Sequence, residues 1–161
     1  MKSVLASISL FLCPALLFSD DKAENILLHQ RNNGGWPKNY EDDRKLSEAE
    51  KKKLRGKKSD QDTTFDNGAT HSEVRYLAKA FLKTGDQRYR EAALKGIEFM
   101  LEAQYANGGW PQRFPKPSGY SAHVTFNDGA MIGVMSTLRD ISRDKKAFPF
   151  VSAELRKRCA E

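Results

Sequence analysis

Gln30-Arg31-Asn32-Asn33-Gly34-Gly35-Trp36-Pro37 returns as Gln104-Tyr105-Ala106-Asn107-Gly108-Gly109-Trp110-Pro111. Each copy is followed by a second shared phrase, Thr64-Phe65-Asp66-Asn67-Gly68-Ala69 in one case and Thr125-Phe126-Asn127-Asp128-Gly129-Ala130 in the other. The order is the same both times, as expected when one supersecondary unit is used twice and its copies bury a shared core. Proline lacks the backbone donor a helix interior needs, so Pro37 should end or redirect any helix there.

Outward from these phrases, the apolar spacing is that of helices. Ser47 to Lys58 predicts an exposed helix, with Ser47 as cap and Glu50 completing a capping box. Thr70-His71-Ser72-Glu73 reads as a second capping box, and Val74, Leu77, Ala78 and Phe81 form one stripe of a helix over 71–83. Thr84-Gly85-Asp86 is a stop followed by a new cap. Tyr89, Ala93, Ile97, Met100 and Leu101 then continue a stripe to about Gln104, giving an antiparallel helical hairpin. Met131, Val134, Leu138 and Ile141 predict a helix to about Arg143. Residues 150–161 read as the start of a further helix, with Val151, Leu155 and Arg158 on a face whose partner is missing. No stretch alternates convincingly as a strand. The expectation is an all-α fold of repeated helical hairpins with loops gathered at one end.

At 161 residues and 39% hydrophobic content, the chain has room for one domain with a modest core. Residues 1–19 begin with Met1-Lys2-Ser3, run apolar from Val4 to Phe18 and exit at Ser19-Asp20-Asp21, the layout of a secretory signal peptide too short to span a bilayer. The alternative is an apolar first helix packed on the domain. Export implies a secreted or periplasmic protein without stable membrane association, leaving residues 20–161 as the domain. Its one remaining cysteine, Cys159, cannot form an internal disulfide.

The chain carries 27 basic and 21 acidic side chains, a formal net charge of +6. A basic exported domain suits a polyanionic partner, and export argues against nucleic acid. The dense run Lys51-Lys52-Lys53-Leu54-Arg55-Gly56-Lys57-Lys58 reads first as a solvated face.

Each Asp/Asn/Gly phrase precedes a helix, where such side chains commonly act as caps. The functional alternative is that Asp66, Asn67 and Asp128 converge and offer oxygens to a hard cation such as calcium, which accepts about six to eight of them in loose geometry. His29, His71 and His123 lack the spacing and thiolate partners of a zinc site. His123 could hydrogen-bond a substrate or be a structural polar histidine. Lys38 and Arg113 follow the Trp-Pro turns and are placed to meet an anionic ligand, and the two indoles could either pack or be offered to a sugar ring.

Together these phrases, with Thr84-Gly85-Asp86-Gln87-Arg88-Tyr89-Arg90-Glu91-Ala92, resemble the N-terminal half of the catalytic domain of family 10 polysaccharide lyases, calcium-dependent pectate lyases. The likeness runs from about residue 25 to 160. It implies that the hairpins form part of an (α/α) barrel or toroid acting as a monomer on an acidic polysaccharide, polygalacturonate. It also implies β-elimination, with calcium bridging enzyme carboxylates and the uronate carboxylate so that the C5 proton becomes acidic. Asp66, Asn67 and Asp128 would serve the calcium site, and Lys38, Arg113 and His123 the substrate. Gly129 stands where the family phrase has a second Asp.

The family base is an arginine in the C-terminal half. None of Arg31, Arg44, Arg75, Arg88, Arg113 or Arg139 matches it, so no catalytic residue is assigned. The resemblance therefore implies a chain truncated at its C-terminus, keeping metal ligands and lacking the base. A noncatalytic, calcium-assisted binder of acidic polysaccharide is the alternative. Gln-x-x-x-Gly-x-Trp at Gln30 and Gln104 also resembles the repeat of triterpene cyclases, but the Asp-x-Asp-Asp phrase of those enzymes is absent.

Overall fold

The computed structural model describes residues 20–124 and 126–161, so the expected signal peptide at 1–19 lies outside the described residues. Among the described residues six α-helices follow one another: α1 (Asp21–His29), α2 (Glu48–Gly56), α3 (His71–Thr84), α4 (Gln87–Glu102), α5 (Ala130–Arg143) and α6 (Ala153–Arg158). Short 3-10 turns at Asp66–Gly68 and Asn127–Gly129 introduce α3 and α5. Among the described residues there is no strand, only one isolated antiparallel bridge between Thr64 and Arg113. No described helix is long and apolar enough to cross a membrane.

The repeated phrases now have a structural meaning. One unit runs from α1 through a Trp-Pro turn and a 3-10 turn to α3, and the other from α4 through the same two turns to α5. The first unit carries extra residues between its two turns, and these contain α2. The capping box expected for α2 forms: Ser47 Oγ accepts from Glu50 N, and Glu50 Oε2 accepts from Ser47 N at 2.8 Å.

Helices α3 and α4 are the expected antiparallel hairpin. Gly85 ends α3 at φ 72°, its N–H donating to Phe81 O at 2.7 Å, and Asp86 caps α4 by accepting from Arg88 N at 2.9 Å. Val74, Leu77 and Ala78 on α3 and Ala93, Ile97 and Met100 on α4 are buried. A Cβ on Gly96 would meet Val74 Cγ2 at 2.4 Å and the Trp36 ring at 2.9 Å, which is why this helix interior carries a glycine. Met131, Val134, Leu138 and Ile141 bury the expected face of α5.

Three sequence expectations change. The second capping box does not form, because Thr70 sits at φ 71° and its hydroxyl donates to Thr64 O at 2.9 Å while accepting from Trp36 N at 3.1 Å. A long-range link has replaced the local cap. The face of α6 does have partners: Val151 and Leu155 are buried, Arg156 donates to the carbonyls of Ile141 and Phe148, and Arg158 pairs with Glu98 of α4 at 2.8 Å. Helix α1, unanticipated, is capped by Asp20, which accepts from Ala23 N at 3.1 Å.

Candidate functional site

Both Trp-Pro turns are built by the same hydrogen bonds. The amide of Gln30 donates to Gly34 O at 2.9 Å, and that of Gln104 to Gly108 O at 3.2 Å. Asn33 and Asn107 each accept from the N–H two residues on at 3.1 Å. The indoles turn inward: Trp36 Nε1 donates to Ile26 O at 2.8 Å and Trp110 Nε1 to Met100 O at 2.7 Å, with both rings buried. They pack and tie each turn to the helix before it, and neither is available to a sugar.

The Asp/Asn/Gly phrases are not caps. Neither α3 nor α5 receives a side-chain capping bond at its N-terminus. Instead Asn67 (φ 52°, ψ 33°) and Asp128 (φ 49°, ψ 27°) occupy the same left-handed position in their turns, a conformation that Asn and Asp tolerate best after glycine. These polar side chains remain available for other work.

What brings the first turn to the site is a backbone web. Thr64 N donates to Trp36 O at 3.0 Å, Phe65 N to Gln112 O at 2.9 Å and Thr64 Oγ1 to the same carbonyl at 2.6 Å. The segment before Asp66 is thus laced to both Trp-Pro turns, which places Lys38 beside Asp66. Lys38 Nζ donates to Asp66 Oδ2. The Asp66 side chain is only 4% exposed, and its Oδ1 is buried without a hydrogen-bond partner. Burial pushes the Asp66 carboxyl up, but the Lys38 ammonium, with Gln112 and Asp128 in reach, outweighs it and holds the group below the usual carboxylate range. The two 3-10 turns that carry Asp66 and Asp128 pack against each other, so the two residues converge.

The amides around them are oriented. Asn67 Nδ2 donates to Asn39 Oδ1 at 3.0 Å, and Asn127 Nδ2 donates to Asp128 Oδ2 at 2.6 Å. Two residues past Lys38, Tyr40 donates to Glu73 Oε1 at 2.9 Å and stacks on His29 with centroids 3.9 Å apart. The Ser72 hydroxyl lies 3.1 Å from Glu73 Oε2 and 2.7 Å from Gly68 O. Glu73 thereby pins the loop of Lys38 to the turn of Asp66.

Gln112 was not singled out from the sequence. It is 2% exposed beside Asp66, with Oε1 lacking a partner. Its only signal was its place after the second Trp-Pro. Arg113 is exposed, and its backbone forms the bridge with Thr64. His123 is exposed on the loop after the 3-10 turn Gly119–Ala122, donating its N–H to Tyr120 O at 3.1 Å. The structure thus joins Lys38, Asp66, Asn67 and Asp128, bridges Arg113 to the Thr64 segment that leads into Asp66, and holds His123 exposed on the loop after Gly119–Ala122.

The donor set fits a hard cation. Two carboxylates, one of them Asp66 with a buried oxygen lacking a partner, and the Asn67 amide are oxygen ligands of the kind calcium takes. Among the described residues no group of three or more His, Cys, Asp or Glu side chains gathers, so water or ligand oxygens would have to complete the shell.

Similarity to known proteins bears on this arrangement. Residues 30–161 match the family model described as pectic acid lyase. Family 10 polysaccharide lyase from Cellvibrio cellulosa is 32% identical with a TM-score of 0.71, over 86% of this chain and 41% of that one. A mutant of the same enzyme, solved in complex with trigalacturonic acid, is 32% identical with a TM-score of 0.77, over 91% of this chain and 44% of that one. The chain thus spans less than half the length of these structures. No curated protein sequence matches it significantly. The model match, the level of identity and the shared helical architecture agree, and the chain belongs to the pectic acid lyase family.

Proposed function

We propose that this chain carries the cation and uronate-binding part of a calcium-dependent pectate lyase, which cleaves polygalacturonate by β-elimination. The observation that supports this most is the convergence of the Asp66 and Asp128 turns, with one buried Asp66 oxygen left without a partner. The trigalacturonic acid bound to the Cellvibrio cellulosa relative supports an acidic oligosaccharide as ligand. In this reading Asp66, Asn67 and Asp128 hold the ion, and Lys38 and Arg113 supply positive charge for uronate carboxylates. His123 offers a hydrogen bond from its exposed loop. Bound calcium would withdraw charge from the uronate carboxylate and ease loss of the C5 proton. The protein is read as a secreted or periplasmic monomer.

A second reading, a noncatalytic calcium-assisted binder of the same polysaccharide, is favoured by the state of five of the six candidate arginines, Arg113 being exposed. Arg31 makes a two-pronged pair with Asp62 at 2.7 and 2.8 Å, Arg75 pairs with Asp140 at 2.6 Å, and Arg44, Arg88 and Arg139 are also engaged with carboxylates. A guanidinium held by carboxylates stays protonated and is a poor base.

Affinity electrophoresis in polygalacturonate gels, combined with ultraviolet detection of unsaturated product, tests both. Calcium-dependent retention lost in Asp66→Ala and Asp128→Ala is expected. Product that a chelator abolishes selects the lyase, and retention without product selects the binder. Retention indifferent to chelator and to both substitutions refutes the site.

A further inference from the structure

We infer that Lys38 is the resident occupant of the cation site: its ammonium neutralises Asp66 in the cation-free protein and, once released, meets a carboxylate of the acidic oligosaccharide. Cation and sugar would then bind with positive coupling. The inference rests on the calcium reading above.

Burial makes a partner for Asp66 obligatory. With 4% of its side chain exposed, an ionised carboxylate there needs a compensating charge, and Lys38 Nζ on Oδ2 provides it. The compensation is partial, because Oδ1 keeps no partner. A divalent ion reaching both Asp66 and Asp128 would offer that carboxylate more charge than one ammonium does, so Lys38 is the group that can be exchanged.

Lys38 is also built to leave. Its side chain is 31% exposed while that of Asp66 is closed in, and its charge sits on a flexible four-carbon stem. The backbone on either side is fixed: Trp36 is buried and bonded to Ile26 O, Asn39 is locked at φ 59°, and Tyr40 is bonded to Glu73. The stem can swing while the loop stays. Asp66 is the carboxylate that Lys38 contacts among the described residues, so a freed ammonium faces solvent at the mouth of the site. An incoming uronate carboxylate is its natural next partner. Because each ligand favours the same released state, each raises the affinity of the other by the same factor.

Isothermal titration of calcium into the intact chain, with and without trigalacturonic acid, tests this. Trigalacturonic acid should tighten calcium binding to the unaltered protein by about tenfold, the scale of one charged hydrogen bond. Lys38→Met should bind calcium alone about tenfold tighter and lose most of the enhancement. In the unaltered protein the Lys38 ammonium signal, followed by nitrogen-15 NMR, should lose its protection from solvent exchange when calcium is added. Calcium binding that Lys38→Met leaves unchanged, or an ammonium signal that calcium does not move, overturns the inference and spares the site. Absence of calcium binding in the unaltered protein overturns both.

Discussion

Acid should destabilise this protein through His71, and the size of the effect can be worked from its surroundings. The residue opens α3 with its ring in the space left by Gly133, where a Cβ would lie 2.1 Å from Nε2. Nε2 is buried without a hydrogen-bond partner. Burial first, and the charge of Arg75 second, depress the imidazole from 6.5 to about 4. Below 6.5 the unfolded chain takes up a proton that the folded chain refuses, so stability is intact above 6.5 and is lost as pH falls toward 4. The full loss is about 3 kcal/mol, of which about 2 kcal/mol has appeared by about pH 5. Urea unfolding of the unaltered protein and of His71→Gln, each at about pH 7.5 and about pH 5, isolates this contribution. Lost packing in the variant acts at both pH values, and carboxylates titrate in both proteins. The unaltered protein should lose about 2 kcal/mol more than His71→Gln between the two conditions. A difference under about 0.5 kcal/mol would refute the assignment of an unprotonated ring with a buried Nε2.

Glu73 should act in the opposite sense. Burial pushes its carboxyl up despite hydrogen bonds from Tyr40 and Ser72, so its stabilising effect is full below 4.5 and is lost as pH rises through the folded value. Relative to Glu73→Gln, the unaltered protein should weaken in urea as pH climbs above 4.5, and parallel profiles would contradict this. Equivalent glycines in the two turns should differ. Gly34, at φ 94° with a Cβ that would lie 2.4 Å from Lys95 O, should cost about 4 kcal/mol as Ala. Gly108, at φ 82° with nothing within 4 Å, should cost about 1 to 2 kcal/mol, and equal losses in thermal melts would remove the steric argument. Trp36→Phe and Trp110→Phe each remove an indole donor to a helix carbonyl, Ile26 O keeping the Gln30 N–H, and should destabilise by about 1 to 3 kcal/mol, adding when combined. A variant as stable as the parent would mean that its indole N–H is not holding the turn.

Helices α2 to α5 were legible because their signals are local: Ser47 with Glu50, Gly85 with Asp86, and stripes such as Val74, Leu77 and Ala78. Helix α1 was not, because its inward face includes Asn25 and His29, which are buried on long-range and stacking partners and give no apolar stripe. Asn25 bonds Asp42 O and Arg44 O at 3.0 and 2.7 Å, and His29 stacks on Tyr40. Thr70 misled for a related reason, since a Thr-x-x-Glu phrase says nothing about competing partners such as Thr64 and Trp36. At the site, Asp66, Asn67 and Asp128 were visible as doubled polar triplets, whereas Gln112 and the Glu73 clamp were not.

By itself, the sequence determined the two helical units, the Trp-Pro turns between helices and the family, because these rest on repeated short phrases and a 3.6-residue period; that the indoles turn inward came from the structure. Only the tertiary structure decided that the carboxylates meet. They occupy different places in their triplets, first in Asp66-Asn67-Gly68 and second in Asn127-Asp128-Gly129, so the repeat does not predict their pairing. Their convergence comes from how the turns are laced together. It also decided that Lys38 stands over Asp66, since a carboxylate closed off from water must take whichever cation the neighbouring loop can extend to it.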